Sequence, residues 1–495
     1  MVGRIQARLQ LIRKGPEAEG RFGLRRFAQS AGLLSLSSVA NLARAVITAK
    51  LFAVALGPST VGVLAQFFNF SALAASLLLL GLTTGVSKMI AEGGQDQTRV
   101  NSVILTSSAI SLAFGLAGAS LLTPFSSVLS TALTGSSRYE VAVLLLVWSF
   151  PLYNVSNVFS FHLQGLAAIG RLTRASILTT GFAVVALIPL TLAYGLTGAI
   201  ASVLATSAAQ TAFYGFELWR AYSARAWRFA GAQLSGPVAS QLLRFGAILL
   251  ASAVVSGASV LAVRTLTLHT LGQHANGLYQ VVFGLSGQYI TVFMVWMGAY
   301  VFPRLVSERQ TGKLGSLLNS GLRANLAIMV PILVISIALR DPLIRIFYSP
   351  AFAGAAPLIP VQVFGDYLRV VGWSFAVVLF AIGHPRSHLA VIASQAVVWV
   401  AMAALLVPMW GLNAVPLTYA ISFLTYPVLG FALVRRWTGV SPDRRGLLLI
   451  ALGFICVIGA AAPLYLGTLL VPVMPLVVYL LNRHELKAGD PQEVA

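Results

Sequence analysis

A chain of 495 residues in which 58% are hydrophobic and only 9% charged cannot cover itself with water-facing side chains. A soluble domain places charged residues at roughly a quarter of its positions, so most of this surface must meet lipid, and mean hydropathy is +0.85. The net charge of +20 is spread as short basic clusters between apolar runs, a pattern of membrane orientation rather than of nucleic-acid binding. The apolar runs are continuous over about 20 residues, which fits helices and excludes the alternating segments of about 10 residues in a barrel. The fold class is an all-α polytopic membrane protein.

In chain order, residues 1–27 come first. Arg4, Arg8, Arg13 and Lys14 interleave there with Ile5, Leu9 and Ile12, which predicts a cytoplasmic amphipathic segment lying on an anionic membrane face rather than a cleaved signal peptide. Hydropathy then predicts fourteen helices, near 28–50, 62–87, 100–122, 141–163, 174–193, 196–217, 242–264, 278–302, 322–339, 361–382, 387–407, 412–434, 446–465 and 467–481. The N-terminus and the loops sharing its side carry 26 of the 33 Lys and Arg, the opposite loops carry three (Arg138, Arg340 and Arg345), and Arg44, Lys50, Arg264 and Arg369 lie within or at the ends of helices. Positive charge stays in the cytoplasm, so both termini are predicted to be cytoplasmic.

The sequence also repeats. Leu56-Gly57 followed by Gly62 returns as Leu271-Gly272 followed by Gly277; Glu92 returns as Glu308; Tyr194-Gly195-Leu196 returns as Trp410-Gly411-Leu412. Three collinear matches at one offset of 215 to 216 residues predict a duplication. Six helices per repeat put both repeats the same way up, related by an axis along the membrane normal. The expected organisation is an N-terminal lobe (28–217), a cytoplasmic linker (218–241), a C-terminal lobe (242–434), two extra helices (446–481) and a cytoplasmic tail (482–495).

Within this frame, Gly62–Glu92 (GVLAQFFNFSALAASLLLLGLTTGVSKMIAE) and Gly277–Leu305 (GLYQVVFGLSGQYITVFMVWMGAYVFPRL) resemble the second and eighth helices of Wzx-type polysaccharide transporters. These belong to the multidrug/oligosaccharidyl-lipid/polysaccharide (MOP) exporter superfamily, and the likeness in helix order covers about 28–434. The resemblance implies a flippase that moves an undecaprenyl-pyrophosphate-linked oligosaccharide, an O-antigen or exopolysaccharide unit, to the periplasmic leaflet. It implies glycosyltransferases and a glycan polymerase as pathway partners. Drug-exporting relatives often carry an acid in the first helix, where this chain has Arg44 and Lys50.

A cation at mid-bilayer costs about 2.5–3.5 kcal/mol on the insertion scale, so intramembrane cations mark candidate sites. Ser37, Asn41, Arg44 and Thr48 share one face of the first helix. That polar stripe fits a cavity wall attracting pyrophosphate and acidic sugars, or an arginine satisfying backbone carbonyls. Lys50 and Arg264 nearly coincide when the repeats are overlaid, which fits either a symmetric anion site or snorkelling to headgroups. Asp366 and Arg369, three apart, read as a structural ion pair or as a proton-coupling acid beside a substrate contact. Gln66 and Asn69, and Asn154 and Asn157, lie one turn apart and serve either sugars or interhelical bonds.

Ordinary catalysis has no support. No Walker-type loop is present, and the histidines show no zinc-like grouping with acids; with Cys456 the sole cysteine, neither a disulfide framework nor a Cys-based metal centre is possible. No cofactor is expected. The alternatives are a peptidoglycan-precursor flippase or a cation-coupled drug exporter on the same fold, and, from another class, a membrane glycan polymerase or ligase. The last would be expected to carry a sizeable extracytoplasmic loop, and the longest here is about 20 residues, from Arg340 to Pro360.

Overall fold

The computed structural model describes residues 39–79, 82–94, 96–224, 233–307 and 314–461. The amphipathic segment, Ser37, Glu308 and the fourteenth predicted helix lie outside them. Among the described residues every regular element is helical, and nine helical stretches are long and apolar enough to cross a membrane.

Helix α1 (39–55) stops at Gly57, whose φ of +70° sits in the left-handed region. Then follow α2 (Gly57–Leu78), α3 (Leu82–Gly93), α4 (Gln97–Leu122), short α5 (Ser126–Thr134) and α6 (Glu140–Gly165). Helix α7 (Ile169–Ser223) has 55 residues, more than twice the ~20 needed for one crossing. Gly195 breaks it, with φ 56° and ψ −131°. A Cβ on Gly198 would lie 1.8 Å from the Leu190 carbonyl oxygen, so the chain doubles back there as a helical hairpin. Helix α8 (Gly236–Trp296) breaks likewise at Gly272. It runs on through a π-helical turn, Met297–Val301.

The remainder comprises α9 (Leu314–Ala338), short α10 (Arg340–Phe347), α11 (Ile359–Ala381), α12 (Pro385–Trp410), α13 (Ala414–Phe423), α14 (Thr425–Thr438) and α15 (Arg444–Ala461). Helix α15 is fastened to α9 and α11. Asp443 accepts from Gly446 N at its start and from Arg323 Nη1, both at 2.7 Å, and the Tyr367 hydroxyl donates to the Ile450 carbonyl.

The sequence repeat is also a backbone repeat. Gly57 and Gly272 both have positive φ, and Gly195 (56°, −131°) and Gly411 (63°, −144°) adopt the same rare conformation. A further pair is invisible in the residue types. Ala167 (φ 51°) is the sole positive-φ non-glycine among the described residues, and it matches Gly383 (φ 87°). Both end a helix with the same two bonds: Ala167 N to Gln164 O with Ala168 N to Leu163 O, and Gly383 N to Phe380 O with His384 N to Leu379 O. This is the Schellman closure, which needs a left-handed residue. Alanine is strained there by about 1 kcal/mol. Ala167→Gly should therefore raise the thermal unfolding midpoint in detergent and Gly383→Ala should lower it. Equal midpoints for parent and both variants would show that the turns carry no such strain.

The two halves meet at one end of the bundle, where equivalent glycines touch. A Cβ on Gly62 would fall 2.3 Å from Gln273 O, and one on Gly277 would fall 1.9 Å from Pro58 O. Asn276 Nδ2 donates to Gly62 O at 2.9 Å. Two crossing contacts flank this seam in reciprocal fashion. From α1, Lys50 Nζ donates to Arg345 O at 3.0 Å, beside Ser349 Oγ to Ala53 O at 3.5 Å. From α8, His269 Nε2 meets Ala132 O at 3.0 Å and Gln273 Nε2 donates to Thr134 O at 3.2 Å. Lys50 from one half and His269 and Gln273 from the other thus reach the carbonyl end of the opposite half's short helix, and Ser349 reaches that of α1, where a donor or cation is favoured.

Candidate functional site

The site starts from α1. Because Asn41, Arg44 and Thr48 share a helical face, they enter one wall together. A cavity of about 360 Å³ lies in the N-terminal half between α1, α6 and the two arms of α7, walled by Asn41, Arg44, Thr48, Tyr153, Ser176, Thr179, Thr180, Thr206, Ser207, Gln210 and Tyr214 among others. A second, about 250 Å³, lies between the halves and is lined by Arg44, Thr48, Phe52 and Phe68 on one side and by Gln280, Gly284, Gln288 and Tyr348 on the other. Arg44 and Thr48 therefore belong to both. Thr180 Oγ1 donates to Asn41 Oδ1 at 3.2 Å, and the buried Thr48 and Thr179 hydroxyls have no hydrogen-bond partner.

Among the described residues, neither cavity wall contains a carboxylate. Every carboxylate among the described residues is engaged elsewhere. Glu92 pairs with Lys88, Asp341 with Arg340, and Glu217 with Arg171, Arg174 and Arg220. Asp443 holds Arg323, Asp96 caps α4, and Glu140 accepts from Ser126. Arg44 makes no hydrogen bond or ion pair with a described residue. A guanidinium presents five donors in a planar fork whose geometry matches a carboxylate or phosphate.

The other predicted residues divide. Lys50 is spent on the Arg345 carbonyl at the seam. Arg264 is fully buried in the C-terminal half, donating to Gln280 and lying 5.2 Å from the Tyr279 ring centroid, with Nε and Nη1 unpartnered. The two therefore do not form a symmetric pair: one caps a helix end and the other packs inside, and neither lines the two cavities. Gln66 makes an interhelical bond, Nε2 to Thr265 Oγ1 at 3.0 Å. Asn157 back-bonds to Tyr153 O at 2.8 Å on its own helix. Asn154 is wholly buried with both amide atoms unpartnered, as is Asn69 Nδ2. None of these four lines either cavity.

Asp366 and Arg369 are joined through a third residue. Asp366 Oδ1 accepts from the Tyr419 hydroxyl at 2.7 Å, and Oδ2 accepts from Tyr289 at 2.6 Å and Ser286 at 2.7 Å. Arg369 Nη1 donates to the Tyr419 oxygen at 3.2 Å, and its guanidinium lies 5.3 Å from the Phe423 ring centroid. Tyr289, Tyr419 and Ser286 were not legible as partners, since nothing in local spacing ties α8 and α13 to α11.

The described residues form an all-helical bundle with membrane-length helices, two of them broken at glycines, around internal cavities. Its fold is that of the MOP superfamily. An inward-facing structure of a multidrug resistance MATE transporter superposes with a TM-score of 0.69 at 18% identity, covering 83% of this chain and 95% of that one. A Pyrococcus furiosus MOP transporter whose binding pocket is described as having reverse polarity superposes at 0.59 with 20% identity, over 82% and 92% of the two chains. Residues 51–357 match the family model for polysaccharide biosynthesis proteins, and the chain belongs to that family. It is also similar to the lipid III flippase of Escherichia coli K12, 21% identical over 396 residues, 79% of this chain and 94% of the relative.

Proposed function

We propose that this protein is a flippase for a polyprenyl-diphosphate-linked oligosaccharide, moving it from the cytoplasmic to the periplasmic leaflet of a bacterial inner membrane. The observation that carries the reading is Arg44, an uncompensated cation shared by two acid-free cavities. A diphosphate supplies the missing charge, and an acid-free wall gives a cationic drug no partner. The likeness to a lipid III flippase supports the same substrate class. A third cavity of about 200 Å³, walled mainly by apolar residues such as Leu42, Val46, Val282 and Val363, suits the prenyl chain.

The architecture in this reading has fourteen spans. Two parallel six-helix lobes are followed by two extra helices, with both termini cytoplasmic. The Gly62–Gly277 seam then lies at the periplasmic end, and the lobes rock about it to alternate access. Asp366 is the coupling acid.

The test is transbilayer movement of a labelled polyprenyl-diphosphate oligosaccharide in reconstituted vesicles. The parent should accelerate it and respond to an imposed pH gradient, while Asp366→Asn should transport downhill but ignore the gradient. Movement no faster than in protein-free vesicles would end the flippase reading. A gradient response in Asp366→Asn equal to the parent's would leave Asp366 as a structural partner of Tyr419.

A further inference from the structure

The repeat offset of 216 residues, anchored by the matched turns at Ala167/Gly383 and Gly195/Gly411, lets the N-terminal cavity be compared with the same space in the C-terminal half. There the space is full. Ala183 corresponds to Trp399, Val203 to Tyr419, Ser207 to Phe423 and Gln210 to Tyr426. These four aromatic residues are buried and packed in series, edge-on or tilted, with ring centroids 5.3 Å apart for Trp399–Tyr419, 4.6 Å for Tyr419–Phe423 and 5.1 Å for Phe423–Tyr426. Ala183, Val203, Ser207 and Gln210 all line the N-terminal cavity. The cavity exists because each bulky ring is replaced by a small or flexible side chain.

The emptied space is hydroxyl-rich. Ser176, Thr179, Thr180, Thr206 and Tyr153 face it, and the Thr179 hydroxyl is buried without a partner. Arg44 stands at the wall it shares with the central cleft. A buried orphan hydroxyl is costly unless something hydrogen-bonds to it. A volume of about 360 Å³ falls within the range of small-molecule sites. Hydroxyl donors and acceptors beside Phe52, Phe68 and Tyr153 suit a pyranose, which offers hydroxyls on its rim and C–H groups on its faces. Resting on the flippase reading above, we infer that the N-terminal cavity is a one-sided glycan subsite. It takes the sugar next to the diphosphate while Arg44 holds the diphosphate at its mouth, and the equivalent C-terminal space is plugged by the chain's own rings.

The test refills the pocket with the residues the other half uses, Ala183→Trp with Ser207→Phe. Binding of two probes to the purified protein is compared: polyprenyl diphosphate alone, and polyprenyl diphosphate bearing one N-acetylhexosamine. The parent should bind the glycosylated probe more tightly. The refilled variant should lose that preference by about tenfold or more yet bind the bare diphosphate as the parent does. Thr206→Val, which keeps the shape and removes one hydroxyl, should weaken the glycosylated probe alone and serves if the refilled variant fails to fold. A refilled variant that keeps the preference overturns the subsite, as does one that, still folded, loses both probes equally. A parent that binds neither probe overturns the flippase reading itself, a separate result.

Discussion

Arg44→Ala is expected to abolish glycan export while leaving the protein in the membrane at its normal level. The guanidinium lines both polar cavities, and among the described residues no carboxylate on either wall neutralises it, so its loss removes the one positive charge those described walls hold. A hydrogen bond to a charged group is worth about 1.5–3 kcal/mol, or roughly 10- to 150-fold in affinity for the diphosphate. Arg44→Lys should retain part of the activity, because an ammonium attracts phosphate but lacks the bidentate fork. Lys50→Ala should export nearly normally, since that ammonium serves a backbone carbonyl at the seam. Surface polymer measured in cells lacking the native gene reads all three. Normal export by Arg44→Ala would remove the anion site from α1.

Gly277→Ala should be almost as severe for a different reason. The added methyl would lie 1.9 Å from Pro58 O and 2.7 Å from the Pro58 carbonyl carbon, atoms of backbone that cannot rotate aside. Helices α2 and α8 must separate, and overpacking of this kind costs about 1–3 kcal/mol or more. The form closed at the seam would lose population, and in the flippase reading proposed above export would fall. Gly287→Ala on the same helix meets nothing within 4 Å and should be silent. A cysteine placed in the seam of each variant reads the opening by its labelling rate from outside. Equal labelling and export in Gly277→Ala and Gly287→Ala would show that the seam tolerates a wider spacing.

Much of this was visible in the residues, and what was not has physical causes. Long apolar runs and the placement of arginines locate helices because burial of backbone in lipid leaves no other choice. The stripe of Asn41, Arg44 and Thr48 follows from helical period alone. Lys50 and Arg264 looked alike in register, yet register fixes height along a helix and says nothing of what surrounds the side chain. Asn157 illustrates the same gap, since its amide turns back on its own helix. The Ala167 turn is not legible in the residue types, because the property shared with Gly383 is a left-handed backbone angle. The pocket was legible in principle: aligned at 216, Ala183, Val203 and Ser207 stand against Trp399, Tyr419 and Phe423. An absence of bulk becomes a signal only when the filled copy lies beside it.

The reciprocal seam also bears on what the carrier does when it has nothing to carry. Five side chains, Lys50, His269, Gln273, Asn276 and Ser349, reach across it to backbone carbonyls. At a net value near 1 kcal/mol each, separating the lobes there costs about 5 kcal/mol, which leaves the form open at the seam at roughly one part in several thousand until bonds formed at the opposite end offset it. In the orientation proposed above, an empty protein would therefore idle closed to the outside. Cargo bound across both lobes would supply the difference, so turnover without cargo would be rare and the membrane would stay sealed to small ions between deliveries.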